Sequence, residues 1–342
     1  MEDRRDFDEI AGGLVDLPEE IFLEDRELEM RIEKQINRRI TKICLRTLLF
    51  VSAMAAVLIL IINPLMKMNF LDPRPMFSKG EADYENEFTD YFGVYIETSQ
   101  PWTEVYSAEC EDHGFGKYII DLNIFDTKGP VYIGATPNVK MTVERGKIET
   151  EDPEHLLTII GNRFTPPPGG KEDLDGIIRD IRELPDSTVL SLAVGVKKDL
   201  PVTELLKTDI FVDWVEIYNE KSGIQGGMAV SKAVLHDSDK NRREMDDAEL
   251  KREYLNNLDF LLSKPEWLEA LGIRMGSNDG YTRFFKSTEP VEELRKYTEE
   301  QEILTTRHYC ISGKKQEILD YLETVDLTSL MVERVKLSTL ER

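Results

Sequence analysis

The chain has few of the residues that build disulfide scaffolds. It contains only three cysteines, Cys44, Cys110 and Cys310, in 342 residues. Small proteins that depend on disulfides are dense in paired cysteines, so this class is excluded. Cys110 and Cys310 lie on the same side of the apolar run described below and are able to pair. Two unpaired, partly buried thiols are an equally good interpretation.

Histidines and catalytic motifs are also scarce. No spacing typical of metal ligands links any two of the four histidines, His113, His155, His236 and His308. The motifs HExxH, CxxC and GxSxG are absent, and so is a glycine-rich phosphate loop. We therefore expect no enzyme activity, no catalytic residue, no cofactor and no bound metal.

Two segments resemble ligand loops only superficially. Asp237, Asp239 and Asn241 match the start of a calcium loop, but Arg242 stands where that loop needs glycine and Ala248 where it needs glutamate. A solvated acidic loop is the better interpretation. Residues 222–234 (SGIQGGMAVSKAV) are rich in glycine within an otherwise apolar strand. Their glycines favour a bulge or close backbone packing over a ligand cradle.

Basic residues are outnumbered by acidic ones, 43 to 66, which gives a net charge of −23. A direct nucleic-acid partner is therefore not expected. The charge is unevenly spread: residues 1–30 carry −9, residues 31–46 carry +5, residues 47–66 carry none and the remainder carries −19. These steps coincide with changes in hydrophobicity, so they predict segment boundaries at residues 46 and 66. The segment TPPPGG breaks the chain and predicts a further boundary at residue 165.

The uncharged run Thr47–Met66 predicts a single transmembrane helix. Its 20 residues would span about 30 Å as a helix, the thickness of the hydrocarbon layer. A cleaved signal peptide would need a shorter preceding segment and a small-residue cleavage site, which this run does not have. Basic residues precede the run, among them Arg38, Arg39, Lys42 and Arg46. The positive-inside rule therefore predicts a cytoplasmic N-terminus and an extracytoplasmic C-terminal region.

The N-terminal segment offers apolar anchors in a charged background. Leu28, Ile32, Ile36 and Ile40 recur every four residues, which predicts an apolar stripe on a helix that leads into the span. Leu14, Leu17, Ile21 and Phe22 form smaller clusters in an acidic segment. Such a segment suits a basic partner with a groove. A solvated tail, with the basic helix resting on anionic membrane lipid, is the alternative.

The C-terminal region predicts an α+β fold. Residues 67–165 are predicted to form a linker followed by short strands, YFGVYIET, EVYSAEC, GKYIIDLNIF, VYIGA and VKMTVE. A helix is predicted after them, at Glu172–Leu184. Residues 166–342 contain two βαβ-like units, at 188–218 and 305–337. In each unit an apolar strand is expected to end at a glycine and a Lys-Lys pair, Gly195 with Lys197–Lys198 and Gly313 with Lys314–Lys315. Between the units, helices are predicted from Asp246 to Leu271, with a break at Ser263–Pro265.

Four segments carry a resemblance to a known family. They are RIEKQINRRITKICLRTLLFVSAMAAVLILII, LPDSTVLSLAVGVKKDLPVTELL, VDWVEIYNEKSGIQGGMAVSKAV and CISGKKQEILDYLE. Taken in order, they resemble the sigma factor regulator family, membrane-bound anti-sigma factors of Gram-positive bacteria. The likeness covers about residues 30–70 and 185–325, and the C-terminal segments are its more specific part.

The resemblance implies a function in transcription regulation and signal transduction. The cytoplasmic segment would hold an extracytoplasmic-function sigma factor, and the outer domain would respond to an unidentified envelope signal. The family offers no catalytic residue to carry over. The zinc-binding motif HxxxCxxC of another anti-sigma class is absent. Docking would then rest on Leu14, Leu17, Ile21, Phe22, Leu28, Ile32, Ile36 and Ile40. A membrane-tethered binding or scaffold protein without a sigma partner is the alternative.

Overall fold

The computed structural model describes residues 19–77, 86–126, 139–150, 174–221, 224–230, 241–277 and 282–337. The chain divides into two compact units, residues 1–65 and residues 66–342. Three segments of the sequence analysis, VYIGA, TPPPGG and the acidic positions Asp237 and Asp239, lie outside the described residues. The three predicted segment boundaries stay predictions.

The described part of the N-terminal unit, residues 19–65, is helical throughout. Helix α1 covers Glu19–Val57 and continues through a π-helical segment, Leu58–Ile62, into helix α2, Asn63–Asn69. Within the described residues it is the one helix long and apolar enough to cross a membrane, and the apolar stretch is 0% buried by protein. The wider turn precedes Pro64, whose ring removes a backbone donor and crowds the preceding turn. This arrangement is consistent with membrane anchoring.

The C-terminal unit begins with a helix where the sequence predicted a strand. Residues 91–98 (YFGVYIET) belong to helix α3, Glu87–Ser99, and not to a strand. The prediction was wrong because α3 is buried on almost every side, so it lacks the polar face that reveals helical periodicity. Its N-terminus is capped by Asn86, whose side chain accepts a hydrogen bond from the Thr89 N–H at 2.8 Å.

A four-stranded antiparallel meander follows α3. Its strands are β1 (Thr103–Gly114), β2 (Lys117–Asp126), β3 (Val139–Glu144) and β4 (Lys147–Thr150), paired in sequence order. The strands predicted at EVYSAEC, GKYIIDLNIF and VKMTVE are confirmed. Apolar side chains alternate along each strand, so one face of the meander packs into the core.

The second sheet has seven strands in the order β11-β5-β10-β6-β7-β8-β9, all neighbours antiparallel. Its strands are β5 (Thr188–Pro201), β6 (Phe211–Ile217), β7 (Ile224–Ala229), β8 (Ile273–Ser277), β9 (Thr282–Phe285), β10 (Thr305–Lys314) and β11 (Leu327–Leu337). The described helices of this region are α4 (Leu174–Glu183), α5 (Val202–Leu206), α6 (Asp247–Leu262), α7 (Pro265–Leu271), α8 (Glu289–Glu300) and α9 (Lys315–Leu322). The helix predicted near Glu172–Leu184 and the break at Ser263–Pro265 are confirmed.

The two predicted strand–helix–strand units interlock. One is β5-α5-β6 and the other is β10-α9-β11, and each unit receives a strand of the other between its own two strands. The expectation that the first strand ends at Lys197–Lys198 was wrong. β5 continues to Pro201 because Leu200 and Pro201 pair with Thr306 and Thr305 of β10. The α+β fold class is confirmed.

The glycine-rich strand β7 serves close packing. A Cβ at Gly227 would overlap the indole ring of Trp214, and a Cβ at Gly226 would lie 2.6 Å from the Tyr254 hydroxyl oxygen. Trp214 and Tyr254 are fully buried. Glycine therefore allows two large aromatic residues to lie directly on the strand.

We predict that Gly227→Ala destabilises the C-terminal unit by about 1–3 kcal/mol, because the added methyl group overpacks a site with no free volume. Urea unfolding of the full chain in detergent micelles, followed by tryptophan emission, measures this change. Gly313→Ala is the matched control, because the nearest atom to its Cβ is the end of the Glu317 side chain at 3.2 Å. Equal stability of the two variants would contradict the packing argument.

Candidate functional site

The predicted docking residues divide between described and undescribed parts of the chain. Leu14 and Leu17 lie outside the described residues, and Ile21 and Phe22 lie in α1 with side chains that are not described. Leu28, Ile32, Ile36 and Ile40 are exposed on α1, each by 50% or more. We name these four residues the apolar stripe. At 3.6 residues per turn they fall within an arc of about 120°.

A second stripe on α1 was missed by the sequence analysis, which only counted charges. Arg31, Lys34, Arg38 and Lys42 recur at helical spacing and are exposed. We name them the basic stripe. The helical period places its centre about 135° from that of the apolar stripe. Arg39 and Arg46, which also served to predict orientation, are exposed on the same helix. The helix therefore presents two chemically different faces.

The C-terminal unit contains a buried ion cluster formed by Glu97, Arg242 and Glu253. Arg242 Nη1 donates to Glu97 Oε1, and Arg242 Nε donates to Glu253 Oε1, both at 2.5 Å. The Arg242 side chain is 1% exposed and that of Glu97 is 3% exposed. Burial raises the pKa of Glu97 although the guanidinium of Arg242 opposes this shift. The guanidinium of Arg242 thus supplies the positive charge that faces both buried acidic side chains.

The ion cluster joins elements that are distant in sequence. Glu97 lies in α3, Glu253 lies in α6, and Arg242 also donates to the backbone oxygen of Ala229 in β7. The indole N–H of Trp214 in β6 donates to the backbone oxygen of Glu97 at 2.8 Å. Together these bonds fix α3 against the seven-stranded sheet. The sequence analysis noted Arg242 only as a residue unsuited to a calcium loop.

A second buried polar group lies where β5, β10 and β6 meet. The Ser312 hydroxyl donates to Asp213 Oδ2 at 2.5 Å, and the Ser191 hydroxyl oxygen lies 3.0 Å from that of Ser312. Burial raises the pKa of Asp213 to about 7, against the effect of the Ser312 hydrogen bond. Asp213 therefore changes its charge near neutral pH.

His308 contacts a different carboxylate, because its Nδ1 bonds to Glu216 Oε2. His308 and Ser312 are four residues apart on β10, so they are about 13 Å apart along the strand. That distance prevents them from acting as a base and nucleophile pair. Among the described residues, no group of three or more histidine, cysteine or acidic side chains is arranged to hold a metal ion. Cys44, Cys110 and Cys310 form no disulfide bond.

We predict that Arg242→Ala destabilises the C-terminal unit by about 3–5 kcal/mol, because it leaves two buried carboxylates without their cation. The raised pKa of Glu97 means that its protonated form suits the fold, so the loss should be larger at pH 7 than at pH 4.5. Arg295→Ala is the control, since this partly exposed arginine pairs with Asp259 and Glu299 at the surface. Equal effects of the two substitutions on urea unfolding would refute the role of the ion cluster.

We predict that Asp213→Asn removes a pH dependence of stability. Because burial raises the pKa of Asp213 to about 7, the stability that this residue contributes is fully present below about pH 4 and is lost as pH rises through 7, by at most about 4 kcal/mol. The variant should match the wild type near pH 4 and exceed it at pH 8. The exposed Asp209 supplies the control Asp209→Asn, and parallel pH profiles for all three proteins would contradict the prediction.

The chain was compared with known proteins at three levels. No family model, curated protein or solved structure matches it.

Proposed function

We propose that the chain is a membrane-anchored anti-sigma factor that sequesters an extracytoplasmic-function sigma factor through its N-terminal segment. One observation carries the proposal: a single uninterrupted helix, from Glu19 to Val57, joins the exposed apolar stripe to an apolar stretch long enough to cross a membrane. A surface of this kind is exposed for a partner unless lipid covers it. The resemblance of four sequence segments to sigma factor regulators indicates what that partner is.

The geometry of α1 favours a protein partner over lipid for the apolar stripe. Leu28 and Arg46 are 18 residues apart, which corresponds to about 27 Å along a helix. A straight helix that continues into a span carries Leu28 well beyond the hydrocarbon layer. Screening at physiological salt acts over about 8 Å, so Arg31 and Lys34 would lie too far out to feel the lipid headgroups. The two stripes are then available to a soluble protein.

The chemistry of the N-terminal segment suits a sigma factor. Residues 1–30 carry a net charge of −9, and sigma factors present basic surfaces to DNA. An acidic segment with apolar anchors would occupy such a surface and compete with DNA. The basic side chains before the span keep this segment in the cytoplasm under the positive-inside rule, and the C-terminal unit then lies outside as the sensor. Its signal would act by favouring one of two states of the chain.

We predict that a peptide of residues 1–46 binds the sigma factor encoded beside this chain's gene. Ile36→Glu should weaken binding by about tenfold or more, because burying an isoleucine side chain contributes about 1.5–3 kcal/mol. Thr41→Glu is the matched control, since it adds the same charge about 140° away on the same helix. Fluorescence anisotropy measures both affinities. The proposal fails if the peptide does not bind, or if the two variants weaken binding equally.

A second experiment separates this proposal from a tethered scaffold. Residues 1–46 are replaced by an unrelated basic segment that keeps the anchor and the C-terminal unit. An anti-sigma factor loses its function, so transcripts of the sigma factor's target genes rise as they do in a deletion strain. A scaffold without a sigma partner would leave those transcripts unchanged.

A further inference from the structure

Two hairpin turns of the four-stranded sheet share an unusual residue choice. The β1–β2 loop consists of Phe115 and Gly116, with φ of 52° and 73°, and the β3–β4 loop consists of Arg145 and Gly146, with φ of 51° and 77°. Positive φ at both loop positions is the pattern of a type I′ turn. We name these two loops the paired turns.

The first position of such a turn favours asparagine, aspartate or glycine, because a larger side chain is strained at positive φ. Here the two positions hold phenylalanine and arginine. Both side chains are exposed, and Phe115 retains 44% of its accessible surface. Neither side chain is therefore held at the turn by burial in the core. Strained backbone positions of this kind persist where the surrounding structure holds them, and they occur often at functional sites.

The paired turns lie beside each other. The Arg145 N–H donates to the Gly116 backbone oxygen at 3.0 Å. A Cβ added to Gly116 would lie 3.7 Å from Phe70 Cδ2 and 4.0 Å from Met66 Cβ, and one added to Gly146 would lie 4.0 Å from the Leu71 nitrogen. Both turns therefore lie against residues 66–71, the segment that begins at the last residue of the apolar run.

The end of this segment and the residues that follow it are fixed to the sheet. Arg74 Nη2 donates to Asp72 Oδ2 at 2.6 Å, and Arg74 Nη1 donates to Asp112 Oδ2 of β1 at 3.3 Å. The Arg74 guanidinium also lies 5.8 Å from the ring centroid of Tyr118 in β2. Leu71 packs against the hydrophobic core. The sheet end that carries the paired turns is thus held within a few residues of Met66.

We infer that the paired turns rest in the headgroup region of the same bilayer that the apolar run crosses, with Phe115 and Arg145 as interfacial anchors. An aromatic ring and a long cationic side chain are the groups that favour this region. The inference rests on membrane anchoring, which the proposed function also requires, but it needs no sigma factor and holds for either orientation.

The charged side chains around the turns include both signs. Lys117, Arg145 and Lys147 are offset by Glu144 and by Glu111, while Asp112 is paired with Arg74. The nearly balanced charge does not select strongly for anionic lipid. The ring of Phe115 at the boundary between headgroups and acyl chains is then the main contact.

Tryptophan quenching in the full chain tests the inference. Phe115→Trp is reconstituted in nanodiscs of phosphatidylcholine and phosphatidylglycerol that include a lipid with a spin label on the upper acyl chain. Tyr106→Trp is the matched control, because Tyr106 is 56% exposed on the same sheet and lies about 25 Å along β1 from the turn. The native Trp102, Trp214 and Trp267 are buried and contribute the same background to both variants.

The spin-labelled lipid should quench Phe115→Trp clearly more than Tyr106→Trp, and aqueous iodide should show the reverse order. Equal quenching of the two variants by the lipid would overturn the inference. Phe115→Asn supplies a second measurement, because asparagine relieves the strain at the turn. Its thermal midpoint in detergent should be equal to or higher than that of the wild type, whereas a lower midpoint would show that Phe115 serves the fold and would overturn the inference as well.

Discussion

The structure depends on one constraint, which is that the apolar surface of the N-terminal helix must be kept from water. The apolar stretch of this helix is 0% buried by protein in the structure. Burial of apolar surface contributes about 25 cal/mol for each Å², so an uncovered helix of this length would be strongly unfavourable in water. A bilayer meets the requirement, because it also leaves the backbone hydrogen bonds of the helix intact. The sigma factor is proposed to bind the chain before this segment, and the paired turns are proposed to contact lipid where the segment ends.

The C-terminal unit is held together by interlocked strands and by buried polar bonds. β10 lies between β5 and β6, and β5 lies between β10 and β11, so neither strand–helix–strand unit can separate without breaking the other. The ion cluster of Glu97, Arg242 and Glu253 then holds α3 against the sheet.

Much of the C-terminal fold could be predicted from sequence because apolar alternation and capping residues are local signals. These signals located the two strand–helix–strand units, the strands β1, β2 and β3 of the meander, and the break at Ser263–Pro265. The helical residues 91–98 could not be identified in this way, since a helix buried on nearly all sides has no polar face. Strand order was also beyond local signals, because the insertion of β10 between β5 and β6 is a long-range pairing.

The candidate sites were predictable only in part, for the same reason. The apolar stripe follows from a four-residue period, and the structure confirms its helix and its exposure but does not test docking. The partners of Arg242 are separated from it by 145 and 11 residues in sequence. No spacing rule links Glu97 to Arg242, and none links the paired turns to residues 66–71. Such contacts become visible only when the chain is folded.

The location of the sigma factor tests the central claim most directly. In cells that express the full chain, the sigma factor encoded beside its gene should be found mainly in the membrane fraction. Replacement of residues 1–46 by an unrelated basic segment should move it to the soluble fraction while the chain itself stays in the membrane. A sigma factor that is soluble in both strains, or bound to the membrane in both, would contradict the account.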